Sequence, residues 1–150
     1  MGQSLVRNIV HITFSTKHRQ PFIHERIEQR LYAYLAKICN NLECPAIEVG
    51  GYFDHVHILC KLSKKISLMK LLQVVKANSS GWMKEADSSL KDFYWQDGYG
   101  AFSVNPTEID KVAKYIANQK FHHSKISYEE ELKRLLRENG IEYDNRYLWD

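Results

Sequence analysis

The chain has 150 residues, 44% hydrophobic, 12% aromatic and 26% charged, with seven Gly, three Pro and a formal net charge of +3. That length suits one compact domain and excludes two ordinary domains or an eightfold α/β barrel, and the composition excludes disordered, collagen-like and low-complexity chains. The apolar runs are short, such as Leu71-Leu72, against the roughly 20 residues a bilayer requires, so no membrane span is expected.

The amino end, Met1-Gly2-Gln3-Ser4-Leu5-Val6-Arg7, lacks the basic-then-apolar layout of a secretory signal, and a cytoplasmic location is expected. Cys39, Cys44 and Cys60 are odd in number and form no C-x-x-C pair, so they read as small buried hydrophobes rather than a disulfide framework or zinc ribbon. Charge is unevenly spread. No acid occurs between Asp54 and Glu85, an interval that holds Lys61, Lys64, Lys65, Lys70, Lys76 and Lys84, whereas Glu129–Asp150 is mostly acidic. The lysine interval is either a solvated surface or a contact surface for a polyanion.

Residues 8–16 alternate as a half-covered strand, with Val10, Ile12 and Phe14 on one side and Ile9, His11, Thr13 and Ser15 on the other. After a polar turn, Ile27, Leu31, Tyr34, Leu35 and Ile38 recur at helical spacing and predict a helix over 24–41. Residues 46–49 read as a second strand, Gly50-Gly51 as a bend or bulge, and 55–60 as a third strand. Leu68, Leu71, Leu72 and Val75 mark a second helix closing near Gly81, and residues 101–104 form a short fourth strand. Thr107 is the expected N-cap of a third helix, with Asp110 completing the capping pair. The order βαββαβ predicts a ferredoxin-like α+β domain, an antiparallel sheet with helices on one face and the other face open to a site or a further element. A further helix is expected at the carboxy end, where Leu132, Leu135 and Leu136 pack or serve a regulatory or dimer contact.

On a strand, His55 and His57 project to the same side, a spacing that lets two imidazoles converge on one metal; the alternative is a pair of surface histidines on an edge strand. In the third helix Ile109, Val112, Ala113, Ile116 and Ala117 form the apolar stripe, and Tyr115 and Gln119 lie together on its flank, with His122 nearly on the same line. Tyr115 either aims its hydroxyl into a cleft between helix and sheet or packs at the core boundary.

His55-Val56-His57 followed by Tyr115-x-x-x-Gln119 resembles the insertion sequence 200-like single-tyrosine HUH transposases, and the resemblance extends through Phe14–Arg19, Asp54 and Tyr115–Lys120, spanning most of residues 5–125. It implies that the whole chain is one HUH transposase domain with an acidic tail or helix over 125–150, and that the helix beyond the fourth strand carries the nucleophile. It implies that His55, His57 and Gln119 bind a divalent metal ion, Mg²⁺ or Mn²⁺. Tyr115 would then attack a phosphodiester, leaving a 5′-phosphotyrosine and a free 3′-hydroxyl. Phenol ionises near pH 10, so such an attack needs help from a metal. With three neutral ligands the protein alone holds Mg²⁺ weakly. The implied partners are single-stranded DNA hairpins at the ends of an insertion sequence and a second copy of the chain, a homodimer whose active site can assemble in trans.

Lys64, Lys65, Lys70 and Lys76 are candidate phosphate contacts, with Lys17, Arg19 and Trp95 as further candidates. His122 and His123 stand as solvent or DNA contacts, or as substitutes for Gln119. His11 is either satisfied within the sheet or supports the site from behind, and Asp54 either orients His55 or sits in the turn. Two other functions compete: a host-adapted relative that processes repeated palindromes, and a non-catalytic nucleic-acid-binding module with the same strand order.

Overall fold

A computed structural model describes residues 2–150; Met1, part of the amino-end reading above, lies outside them. The strands are β1 (Ile9–Ser15), β2 (Ala46–Tyr52), β3 (His55–Lys61) and β4 (Gly100–Ser103), and the helices are α1 (Glu25–Asn41), α2 (Leu68–Ala86), α3 (Ile109–Ala117), α4 (Gln119–His123) and α5 (Tyr128–Glu138). The sheet order is β2-β3-β1-β4 and every pairing is antiparallel, the arrangement expected of βαββαβ. β1 and β3 are central, in a register that sets Ser15 opposite His55 and Ile9 opposite Lys61.

Val10, Ile12 and Phe14 of β1 and Val56, Ile58 and Cys60 of β3 face α1 and α2, where Ile27, Leu31, Leu35, Leu71, Leu72 and Val75 complete the main core. The helix periodicity in the sequence locates this layer because an amphipathic helix can bury its stripe only against a sheet face or another stripe. All three cysteines are free and buried, as expected.

The opposite face is closed. Ile9 and Leu59 pack under Ile116 of α3, while Phe102 packs with Tyr128, Leu132, Leu135 and Leu136 of α5. β1 is therefore buried on both sides along all seven residues, not half-covered. The tail helix is a packing element, and it brings polar side chains with it. Among the described residues, no helix is long and apolar enough to cross a membrane.

Four local expectations are corrected. α2 runs past Gly81 to Ala86 because Met83 extends its buried stripe and Gly81 faces open space. Gly50 and Gly51 stay within β2, and the irregularity lies between Ala46 and Glu48. Gly50 serves a close approach instead: a Cβ there would lie 2.5 Å from the Ile116 carbonyl oxygen. Thr107 is not the cap; the Asn105 side chain accepts from the Thr107 amide at 2.9 Å and starts a short 3₁₀ turn, after which α3 begins at Ile109. Finally, Tyr115 and Gln119 do not share one helix, since the chain leaves helical geometry at Asn118 (φ −100°, ψ 21°).

Candidate active site

His55 and His57 lie on a central strand and are fully buried, so they are not surface histidines on an edge. Their alternation on β3 points both rings away from the apolar core and towards α3–α5. Asp54 holds the first ring: His55 Nδ1–H donates to Asp54 Oδ1 at 2.8 Å, which leaves the lone pair of Nε2 facing inwards. That nitrogen stands 2.8 Å from Gln119 Oε1. The orientation of the amide is fixed from its other end, where Gln119 Nε2 donates to Glu131 Oε2 at 2.9 Å. Nε2 and Oε1 are thus two acceptors turned towards one point, where a cation can engage both.

Glu131 of α5 completes the cluster. Its Oε1 lies 2.9 Å from His57 Nε2, 3.5 Å from His55 Nε2 and 3.1 Å from His123 Nε2. Ligand atoms of His55, His57 and Glu131 all fall within 4.8 Å of one another, so these residues could hold a metal ion. The all-neutral ligand set expected from the sequence thereby gains an anionic oxygen, the donor type that Mg²⁺ and Mn²⁺ favour.

Tyr115 aims its hydroxyl inwards, donating to Glu131 Oε2, and accepts from Arg134 Nη2 at 2.9 Å. The hydroxyl and the ligand nitrogens are thus joined through one carboxylate. Behind the cluster, His11 Nε2 and His57 Nδ1 share a hydrogen bond of 2.7 Å, so His11 supports the site from β1. Tyr128 stacks on His55 with ring centroids 4.1 Å apart and shares a hydrogen bond with Thr13 at 2.9 Å.

Electrostatics follow from burial. Burial alone would raise the Glu131 carboxyl, but His57, His123 and His55 outweigh it and hold the group well below the usual carboxylate range. The Tyr115 phenol is raised above its ordinary value by burial and by the Glu131 charge, with Arg134 opposing. His11 is lowered to about 3 by burial and by neighbouring His57. In this arrangement Tyr115 is a protonated donor.

Of the two histidines after Gln119, His123 enters the cluster and His122 instead packs against the Tyr115 ring at 4.9 Å. The break at Asn118 rotates α4 out of α3's register, which an unbroken helix would not do. Arg19 and Lys17 lie at the His55 end of the sheet, where Thr16 N–H donates to the Asp54 carbonyl at 2.8 Å. Arg19 lies over Trp149 at 4.3 Å and 3.5 Å from Glu129. Lys64, Lys65 and Lys70 follow the opposite, Lys61 end of β3 and are exposed. Lys76 donates to the carbonyls of Gln96, Asp97 and Gly98 at 2.7–2.9 Å, anchoring that loop. Trp95 is buried and donates to Ser79 Oγ at 2.9 Å, so it is not a free stacking platform.

Sequence reasoning missed Glu131 and Arg134. The signal for Glu131 is present: Tyr128, Glu131, Leu132, Leu135 and Leu136 follow i, i+3, i+4, i+7, i+8, which places one acid on the apolar stripe. A run of three glutamates, residues 129–131, conceals it.

Residues 4–119 match the family model described as transposase IS200 like. The transposase for insertion sequence element IS200 of Salmonella typhimurium is 26% identical over 114 residues, covering 73% of this chain and 74% of the relative, and its Salmonella typhi counterpart matches equally. A chain assigned as a transposase from Deinococcus radiodurans superposes with a TM-score of 0.65 at 20% identity, over 79% of this chain and 96% of that one. A REP-associated tyrosine transposase bound to a REP hairpin gives a TM-score of 0.58 at 14% identity, over 84% of this chain and 74% of that one. At these identities the two structures speak for the fold, whereas the family match covers more than two thirds of the sequence. The chain belongs to the IS200-like transposases, a family of DNA strand cleavage and transfer enzymes.

Proposed function

We propose that this protein is a metal-dependent single-stranded DNA transposase that cleaves and rejoins insertion-sequence ends through a 5′-phosphotyrosine on Tyr115. The observation that carries this reading is the shared carboxylate: Glu131 accepts from the Tyr115 hydroxyl on Oε2 and lies 2.9 Å from His57 Nε2 on Oε1. A nucleophile and a ligand set so joined address the same phosphate.

His55, His57 and Glu131, with Gln119 Oε1, would hold the ion. When bound, a divalent cation supplies Lewis-acid polarisation of a phosphate oxygen. The chain's own residues do the rest. Asp54 and His11 fix the two imidazole rings, and Tyr128 covers His55. Gln119 positions the carboxylate, and α3 holds the phenol where the hydroxyl meets it. The cleaved bond's energy stays in the phosphotyrosine, so rejoining to another 3′-hydroxyl needs no nucleotide cofactor.

The DNA form proposed is a hairpin, the form held by the REP-associated structural neighbour. Lys17 and Arg19 are the proposed phosphate contacts nearest the site, with Lys64, Lys65 and Lys70 on a second basic surface. One chain brings Tyr115 to its own histidines, which supports assembly in cis. The same proposal includes a homodimer and treats 1–150 as one functional domain.

The test is incubation of the protein with labelled single strands from the ends of its own locus and Mg²⁺ or Mn²⁺, read on a denaturing gel. The parent is expected to give a DNA–protein adduct that Tyr115→Phe and chelation abolish. Tight hairpin binding without an adduct would favour a binding module instead.

A further inference from the structure

Arg134 lies beyond the residues matched by the family model, which end at 119, yet α5 sets it against the nucleophile. Its Nη2 donates to the Tyr115 hydroxyl at 2.9 Å, and its guanidinium carbon lies 5.6 Å from the centre of the Tyr115 ring. The side chain is 40% exposed, so a ligand can reach it. Its Nε is buried without a hydrogen-bond partner, the neighbouring Glu138 carboxylate being 3.7 Å away. The donors that a ligand can reach at the nucleophile are therefore those of the terminal nitrogens, Nη2 among them, on a permanently charged fork.

Beside them is a cavity of about 420 Å³ whose lining includes Arg134, Tyr115, His11 and Lys111 together with the carboxylates of Glu108 and Glu138. Its size is within the usual range for a small-molecule site, about 300–1,000 Å³. An attacking oxygen must come within about 3–3.5 Å of phosphorus. A phosphate so placed against Tyr115 Oη puts its non-bridging oxygens within reach of a donor that already touches that same Oη.

We propose that Arg134 is a catalytic residue that grips the scissile phosphate of a single-stranded DNA whose flanking nucleotide occupies this cavity; the inference rests on the Tyr115 reading above. In the transfer, the Oη–P bond forms as the P–O3′ bond breaks. The phenol gives its proton to solvent and the 3′ oxygen takes one from solvent, so nothing is oxidised or reduced. Arg134 keeps its charge throughout and offsets the charge that builds on the phosphate oxygens.

The experiment is single-turnover adduct formation on a saturating hairpin oligonucleotide from the locus ends with Mn²⁺, with hairpin affinity and melting temperature measured on each variant. Arg134→Ala is expected to slow the step roughly 10²-fold, the scale of losing one transition-state donor, at unchanged melting temperature. Methylguanidine restores rate to Arg134→Ala, and Arg134→Lys is intermediate. Arg134→Ala at parent rate, or a loss that methylguanidine does not restore, overturns the proposal. A second readout separates this inference from the Tyr115 transposase reading: the Arg134 Nε–H signal in ¹⁵N NMR, assigned by its loss in Arg134→Lys, is expected to shift on adding the oligonucleotide. A parent that forms no adduct defeats the Tyr115 transposase reading. An unshifted signal at saturating DNA defeats the role of Arg134.

Discussion

Replacing Gly50 by alanine perturbs the site from behind, without touching a polar atom of it. The new Cβ would lie 2.5 Å from the Ile116 carbonyl oxygen and 3.0 Å from its Cγ2. Ordinary contact begins near 3.4 Å, so α3 must retreat from β2 by about 1 Å. The obstacle is helix backbone beside Tyr115, which cannot rotate out of the way as a side chain would. Overpacking of this kind costs about 1–3 kcal/mol of stability. Displacement of a catalytic group by 1 Å lowers rate on the order of 10²-fold. Chemical denaturation and the adduct assay would measure both on one preparation. Gly81→Ala is the control, because its Cβ meets nothing within 4 Å inside α2, and it is expected to stabilise by about 0.5–1 kcal/mol. A Gly50→Ala protein with parent stability and parent adduct rate would refute the close approach of α3 as the device that positions Tyr115.

Four further outcomes are expected. The His11 value of about 3 lies below its ordinary 6.5, so the unfolded chain takes up the proton first; the His11 contribution is level above pH 6.5 and destabilises below it, by about 2 kcal/mol at pH 5, and since burial also lowers its partner His57, His11→Asn is expected to reduce the fall in denaturant melts without abolishing it. Glu131→Gln removes the anionic ligand and is expected to weaken Mn²⁺ binding, followed by titration calorimetry, at least about tenfold. Lys76→Met loses three carbonyl contacts and is expected to cost about 1–3 kcal/mol in thermal melts. Mixing Tyr115→Phe with His57→Ala protein should restore no adduct if the site assembles in cis, whereas recovery would demonstrate assembly in trans.

The strand and helix order was legible because Val10, Ile12, Phe14 and the α1 and α2 stripes carry clear periods of two and 3.6. His55, His57, Tyr115 and Gln119 were legible for a different reason, a spacing shared with a family, and the structure brings all four together. The closure of the second sheet face was only half legible. Leucines at 132, 135 and 136 announced a packing helix, but nothing local says which face it covers, since that is decided by long-range contact with Phe102. Glu131 was hidden because a buried acid is read as solvated until its imidazole partners are known. The turn at Asn118 was invisible too: Asn is tolerated within a helix, and only the fold shows that α4 leaves α3's register to send His123 inwards.

The central claim joins one phenol to one metal-binding cluster, and peptide mapping of the covalent product tests it most directly. Protein incubated with a hairpin strand and Mn²⁺ is digested with protease and nuclease and examined by mass spectrometry. The account predicts a nucleotide joined through its 5′-phosphate to the peptide containing Tyr115, a released strand ending in a 3′-hydroxyl, and neither product after chelation. A nucleotide carried by any other residue, or an adduct formed equally well without a divalent ion, would contradict it.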